Sequence, residues 1–418
     1  LFTSFGLSKP IQKALTANQY HTPTPIQSKV IPLILDKKDI MAQAQTGSGK
    51  SAGFVLPLLE MWSHSISEGK AKIKILVLTP TRELTLQVAE TFMTFGIYIG
   101  DSTHPNTRRP KVVSVIGGES IGDQLYAIQH GRDILVATSG RFVDILRKKQ
   151  INLSHIEYLV LDEADKMLNL GFAEELDLIL KALPTKRQNL LFSATYPPKM
   201  LTIASRITTN ALEVSVESQR PTVAQIVQRV IEVNPQNRGP LLRYLLKKEK
   251  WKQVLVFMSS KRATDNIAEK FRKRGYLADS FHGDLHQDDR NYTLEQFKSK
   301  KLQILFTTDL LSRGLDIEGV DCVVNYDLPR SPADYIHRIG RTGRAGNAGL
   351  SISFIGHEEQ DHFRLIEKRS QIKLTREEIA GFELTGDAPI KARGKAPIKG
   401  KRNSKKDKLR EKAAREAT

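Results

Sequence analysis

The chain of 418 residues carries 64 Lys and Arg against 46 Asp and Glu, a formal net charge of +18, with 40% hydrophobic and 26% charged residues. That length predicts two or three domains, and the composition suits globular domains with apolar cores and excludes a disordered, collagenous or acidic chain. A single cysteine, Cys322, excludes a disulfide framework and any multi-cysteine zinc or iron–sulfur site; no apolar run approaches the roughly 18 residues of a membrane span; and the positive excess implies a polyanion partner without naming it.

The chain starts at Leu1 with no basic segment leading into an apolar stretch of signal-peptide type. One cysteine and no export signal predict a reducing, cytoplasmic compartment, with a removed targeting peptide left open. Strand-like runs follow at 73–79, 111–116, 133–138, 156–161 and 188–193, and a second set at 252–258, 302–307, 320–326 and 349–355. They are rich in Val, Ile and Leu and barely alternate, as parallel strands buried on both faces do. Amphipathic helical stretches such as 82–95, 172–182 and 262–274 lie between them, which predicts α/β architecture with open, doubly wound parallel sheets. NLLFSAT at 189–195 resembles QILFTTD at 303–309, and ILVLTPT at 75–81 echoes VLVFMSS at 254–260, a hint of a duplicated domain. The expected division is an N-terminal domain over 1–210, a polar linker over 211–223, a C-terminal domain over 224–372 and a basic tail over 373–418, with a surface loop at 100–110. From 386 onward the chain holds twelve Lys and Arg against four acids, eight of the eighteen net charges, with no aromatic residue, and is expected to be disordered.

AQTGSGKS at 44–51 sits between a short apolar run and a helical one. Its glycines let backbone N–H groups converge on phosphate oxygens, and the following helix adds its N-terminal dipole. Lys50 would reach the β- and γ-phosphates and the Ser51 hydroxyl a Mg²⁺ ion. The general phosphate-loop pattern fails at its first position, Ala44, so a plain Gly-rich turn is the competing reading. DEAD at 162–165 follows a buried strand, at the carboxyl edge where ligands bind in such sheets. Asp162 would hold Mg²⁺ partly through water and Glu163 would orient or deprotonate water; alone, the tetrapeptide also reads as an acidic helix N-terminus.

With these motifs in place the chain resembles the DEAD-box ATP-dependent RNA helicases of superfamily 2, over about residues 2–372. TPTPIQ at 22–27, AQTGSGKS, PTREL at 80–84, Gly117-Gly118, TSGR at 138–141, DEAD, SAT at 193–195, VLVFMSS at 254–260, HGDLHQDDR at 282–290, TTDLLSRGLDI at 307–317 and YIHRIGRTGR at 335–344 arrive in the family order. Ala44 is normal in that family. Ser51 stands for the usual Thr and keeps its hydroxyl, whereas Ser139 replaces the usual Pro and is expected to loosen a turn that meets RNA.

The resemblance implies two RecA-like domains that close on ATP and RNA. It assigns Phe2, Gln27, Thr46, Gly47, Ser48, Gly49, Lys50, Ser51, Asp316, Arg341 and Arg344 to the nucleotide. Lys50, Asp162, Glu163, Arg341 and Arg344 would be catalytic, and Ser51 and Asp162 would hold Mg²⁺. Thr81, Arg82, Gly118, Thr138, Arg141, Arg262, Gln287, Arg290, Thr308 and Asp309 would contact RNA, mostly at phosphates and sugars. Ser193, Thr195, Asp165 and His337 would couple hydrolysis to closure. Taken by itself, HRIGRTGR also fits a basic surface helix, SAT a strand-end cap and Arg262 a surface residue. The implied activity is ATP-dependent, sequence-independent unwinding of short RNA duplexes or remodelling of RNA–protein complexes by a monomer acting on single-stranded or short duplex RNA. Ribosome-assembly and RNA-decay proteins are the partner classes in view, and no membrane partner is. The competing readings are an ATP-gated RNA clamp or annealing scaffold, against which intact Lys50, Glu163 and Arg344 count, and a DNA translocase, against which DEAD and the Gln27 motif count. His282 and His286 lack a third metal ligand, His357 and His362 are expected to face solvent, and Cys322 to be a core residue.

Overall fold

The computed structural model describes residues 1–44, 47–66, 70–101, 108–216, 226–309, 317, 319–343 and 349–386. They form two lobes, each built on a seven-stranded, wholly parallel sheet. The first contains β1 (Ile40–Gln43), β2 (Ile75–Thr79), β3 (Val112–Val115), β4 (Ile134–Thr138), β5 (Tyr158–Leu161), β6 (Gln188–Ser193) and β7 (Leu212–Ser215), in the order β3-β4-β2-β5-β6-β1-β7. The second contains β8 (Ile226–Glu232), β9 (Val254–Phe257), β10 (Ala278–Phe281), β11 (Ile304–Thr307), β12 (Cys322–Asn325), β13 (Gly349–Ile355) and β14 (Arg376–Glu377), in the order β10-β11-β9-β12-β13-β8-β14. Subtracting seven from each label of the second sheet reproduces the first, so these are two copies of one RecA-like topology.

Burial on both faces explains the unbroken apolar runs. In β2, Ile75 and Val77 enter one core while Leu76 and Leu78 enter the core on the opposite face. In β9, Val254 and Val256 face one layer and Leu255 and Phe257 the other. Helices Arg82–Gly96, Ala173–Ala182 and Lys261–Arg272 form within a residue or two of the expected stretches. Cys322 is fully buried in β12.

The structure corrects several boundaries. The linker expected over 211–223 begins with β7, which hydrogen-bonds β1 at the sheet edge and buries only Val214; an edge strand wet on one side reads as polar loop. The C-terminal lobe does not end at 372. β14 pairs with β8, Ile379 and Phe382 pack on the core, and Asn234 exchanges two hydrogen bonds with Thr385. Residues 373–386 are therefore part of the lobe, and the tail beyond, from 387, lies outside the described residues. The likeness of 189–195 to 303–309 pairs β6 with β11, which occupy different places in the two sheets; 75–81 and 254–260, on β2 and β9, are true counterparts. Within the 100–110 loop, Arg108 forms a two-pronged ion pair with buried Asp133 and stacks over Trp62, while 102–107 lie outside the described residues. His357 and His362 are half-buried, and His362 Nε2 meets the Pro329 carbonyl at 2.7 Å, so neither simply faces solvent.

Candidate nucleotide site and RNA-binding face

The phosphate loop leaves β1 and turns into helix Lys50–Ser63. Gly47 and Gly49 take φ of 74° and 87°, left-handed conformations that favour glycine. A Cβ at Gly49 would stand 2.5 Å from Gln27 Nε2. Gln27 is buried; its Oε1 accepts the Thr24 N–H at 2.9 Å and its Nε2 donates to the Gly49 carbonyl at 3.0 Å. The TPTPIQ motif is thus tied to the phosphate loop. Lys50 is buried and donates to the Ala44 carbonyl at 2.8 Å; burial lowers its pKa, and the nearby Asp162 and Glu163 carboxylates oppose that. Ser48, Gly49 and Ser51 are half-buried around it and Gly47 is exposed. Phe2 is only 4% exposed and packs edge-to-face with Phe5 in the lobe core, so it offers a ligand little surface.

Glu163 lies at φ 52°, a strained setting for a residue with a Cβ, and caps helix Ala164–Asn169. Asp162 Oδ1 accepts the Glu163 N–H at 2.9 Å; burial pushes the Asp162 pKa up to about 6, against the pull of Lys50. Glu163 Oε1 accepts from Lys166 Nζ at 2.8 Å, while Oε2 is buried with no hydrogen-bond partner. Asp165 Oδ2 accepts the Thr195 N–H at 3.2 Å and hydroxyl at 2.9 Å. Ser193 meets the DEAD turn through backbone rather than carboxylate: its hydroxyl accepts the Asp165 N–H at 3.2 Å and donates to the Thr195 carbonyl at 2.7 Å.

From the second lobe, helix Pro332–Ile339 brings His337 into the field of Lys166 and Glu163. Burial first, then Lys166 and Arg341, push the His337 pKa down to about 4, so the ring is neutral near pH 7. Arg341 is buried two residues beyond that helix. Arg338 has a different fate from its neighbours in HRIGRTGR. It is 1% exposed, donates to Asp309 Oδ1 at 2.6 Å, to Asn325 Oδ1 at 3.2 Å and to the Asp327 carbonyl at 2.7 Å, and lies over the Phe257 ring. Thr46, Asp316 and Arg344 lie outside the described residues.

The expected RNA contacts of the first lobe cluster at the carboxyl ends of β2, β3 and β4, which are neighbours. The expected nucleotide motifs follow β1, β5 and β6, also neighbours, so the sheet order sorts the two sets of motifs onto two halves of one edge. Thr81 accepts the Leu84 N–H and caps its helix. Arg82 lies against Gly117 and Gly118; Gly118 has φ 88°, and a Cβ there would come within 2.6 Å of Arg82 Nη1. Arg141 donates to the Glu119 carbonyl at 2.9 Å, and Thr138 is half-buried at the start of helix Ser139–Arg147. Ser139 is packed inside rather than exposed: its hydroxyl points at Met167 Sδ, 3.4 Å away, and both residues are buried.

In the second lobe Thr308, half-buried, follows β11, and Arg262 is exposed in the first turn of its helix. Three expected contacts there are already engaged within the protein. Asp309 is paired to Arg338. Gln287 donates to Asn291 Oδ1 at 3.0 Å, and Arg290 is buried in an ion pair with Glu83 of the first lobe. Gly118, Ser120 and Gln124 of the first lobe and His286 and Gln287 of the second line one cavity of about 530 Å³. His282 bonds Asp265 at 2.8 Å, a structural role. Glu83, Lys166 and Arg338 had no individual role in the sequence reading, although Glu83 falls in the motif at 80–84 and Arg338 in that at 335–344; the signal of Lys166 was its spacing of three from Glu163 on a helix.

Among the described residues no group of three or more His, Cys, Asp and Glu forms a metal cage. The donors fit a magnesium ion bound chiefly by phosphate and water, since Asp162 and Ser51 are hard oxygen donors beside a phosphate loop. No helix among the described residues is long and apolar enough to cross a membrane.

Residues 24–203 match the DEAD/DEAH box helicase family and residues 238–346 the helicase conserved C-terminal domain. The chain belongs to the DEAD-box helicase family. The DEAD-box ATP-dependent RNA helicase CshA of Bacillus subtilis is 40% identical over 375 residues, 90% of this chain and 73% of that protein. S. cerevisiae Dbp5, solved with RNA and ADP BeF3, gives a TM-score of 0.76 at 29% identity, covering 90% of this chain and 95% of that one. Mss116p, solved with ssRNA and AMP-PNP, gives 0.78 at 27%, covering 90% and 78%.

Proposed function

We propose that this chain is an ATP-dependent RNA helicase, an RNA-stimulated ATPase that closes two lobes on ATP and RNA and unwinds short duplexes or remodels RNA–protein complexes. The observation that carries the reading is His337 of the second lobe standing in the field of Glu163 and Lys166, beside the buried Lys50 and Asp162 of the first.

Lys50 would leave the Ala44 carbonyl for the β- and γ-phosphates, guided by the N–H groups after Gly47 and Gly49. Gln27 and, less directly, Phe2 would fix the base, with Asp316 at the ribose. Mg²⁺ held by Ser51 and Asp162, partly through water, would neutralise phosphate charge. Glu163 Oε2 would take a proton from water as the water oxygen bonds the γ-phosphorus; the bond from phosphorus to the β–γ bridging oxygen breaks, and that oxygen leaves with ADP. Arg341 and Arg344 would stabilise charge on the transferred group, an effect of about 10³–10⁵ in rate in related enzymes. Asp165, through Ser193 and Thr195, and neutral His337 would tie the site's integrity to closure. Arg82, Gly118, Thr138, Arg141, Arg262 and Thr308 would grip the RNA backbone, with 2′-hydroxyl contacts selecting RNA over DNA. The same reading makes the protein a monomer of a reducing compartment, served by ribosome-assembly or RNA-decay partners.

The test measures ATP turnover alone, with single-stranded RNA and with DNA of the same sequence. Stimulation by RNA is expected, and no turnover above background would leave only the clamp. Glu163→Gln should bind ATP and RNA yet lose about 10²–10⁴-fold in turnover; undiminished turnover would remove the general-base role.

A further inference from the structure

Lys166 is buried beside the general base but belongs to no role assigned so far. Its ammonium donates to Glu163 Oε1 at 2.8 Å, with the two side chains 6% and 5% exposed. A Glu–Lys pair three residues apart is commonly a solvated helix decoration worth a few tenths of a kcal/mol; burial of both partners removes that reading. Glu163 Oε2, also buried, accepts no hydrogen bond. The two oxygens of one carboxylate are therefore in opposite states, one anchored and one open. The anchor is itself fixed: the Lys166 N–H donates to Asp165 Oδ1 at 3.0 Å, and Asp165 is held by Ser193 and Thr195.

We infer that Lys166 is a positioning residue for hydrolysis, holding Oε1 of Glu163 so that Oε2 alone is presented to the attacking water. A buried carboxylate deprived of its partner turns to the next cation. Lys50 is that cation, close enough for Glu163 to act on its protonation. Lys166 thus keeps the base from collapsing onto the lysine that ATP needs. The inference rests on Glu163 being the base.

The experiment compares steady-state ATP turnover at saturating single-stranded RNA for wild type, Lys166→Met, Lys166→Gln, Lys166→Arg, Glu163→Gln and the double variant Glu163→Gln with Lys166→Met. Lys166→Met should lose about 10–100-fold in kcat, part of what a general base contributes, and raise KM for ATP as Glu163 competes for Lys50, with RNA affinity within about twofold. Lys166→Arg, which keeps the charge, should recover most of that loss. In the Glu163→Gln background Lys166→Met should cost less than about twofold more, because Lys166 acts through Glu163. A folded Lys166→Met with kcat within about twofold of wild type, or a loss that multiplies undiminished onto Glu163→Gln, overturns the inference. If Lys166→Met does not fold, Lys166→Gln decides: a kcat loss that Arg rescues supports it, and wild-type kcat overturns it. Failure of the underlying reading looks different, since Glu163→Gln would then itself turn over like wild type.

Discussion

Arg338 and Arg341 lie three residues apart in one basic motif, yet the structure gives them separable jobs. Arg338→Met removes three polar partners at once: Asp309 Oδ1, Asn325 Oδ1 and the Asp327 carbonyl. Breaking a buried charged pair from one side costs about 3–5 kcal/mol. The Asp309 side chain is 26% exposed and regains water, which places the loss near the lower end, about 3 kcal/mol. In a lobe of this size 1 kcal/mol moves the midpoint by about 2–4 °C, so the second lobe should melt about 6–12 °C lower in calorimetry. Arg338→Lys keeps the charge but not the fork that spans Asp309 and Asn325, and should fall between. Arg341→Gln should express its loss in kcat. An Arg338→Met protein melting within about 2 °C of wild type would refute the reasoning, as would an Arg338→Lys protein as stable as wild type.

Gly118→Ala forces a left-handed φ on a residue with a Cβ and drives that carbon against Arg82, so RNA affinity by fluorescence anisotropy should fall about tenfold while RNA-free ATP affinity holds. His337 has its folded pKa depressed to about 4 against an ordinary 6.5, so the unfolded chain binds more protons between those values. Stability from this group is complete above about pH 6.5 and is lost as pH falls towards 4, by at most about 3 kcal/mol; His337→Asn should flatten that slope in urea unfolding. Truncation separates the lobe segment 373–386 from the tail beyond it. Removing 387–418 should weaken RNA binding and flatten its salt dependence while sparing basal ATP turnover. Removing 373–418 should also destabilise the second lobe, since the ion pairs of Arg229 with Glu377 and Arg376 with Glu367 go with it.

Most strands legible in the sequence were those sheathed on both faces, such as β2 and β9, because burial alone demands their unbroken Val, Ile and Leu; β3, at a sheet edge with one face half-buried, was legible as well. β7 and β14 sit at the ends of their sheets, where one face or edge stays wet, and their mixed residues read as linker and tail; β8, beside β14, and β10, at the opposite edge, fell within the expected second domain without being marked as strands. The P-loop and DEAD motifs were legible because they are contiguous and follow buried strands. Glu83 pairing with Arg290 spans two lobes and left no local trace.

What the sequence determined by itself is the chemistry available: a phosphate loop ending in Lys50, carboxylates at 162–165, an arginine-rich helix end, and charge enough for two polyanions. The tertiary structure alone decided how those groups are spent. Parallel strand order placed the nucleotide motifs on β5-β6-β1 and the RNA motifs on β3-β4-β2, a sorting that chain order does not contain. Burial then decided which charges act on ligands and which on each other. Arg338, which Asp309 neutralises, and the pair of Lys166 with Glu163 are taken out of water, where a charge without a partner is too costly to persist, and their pairing is a property of the packed interior.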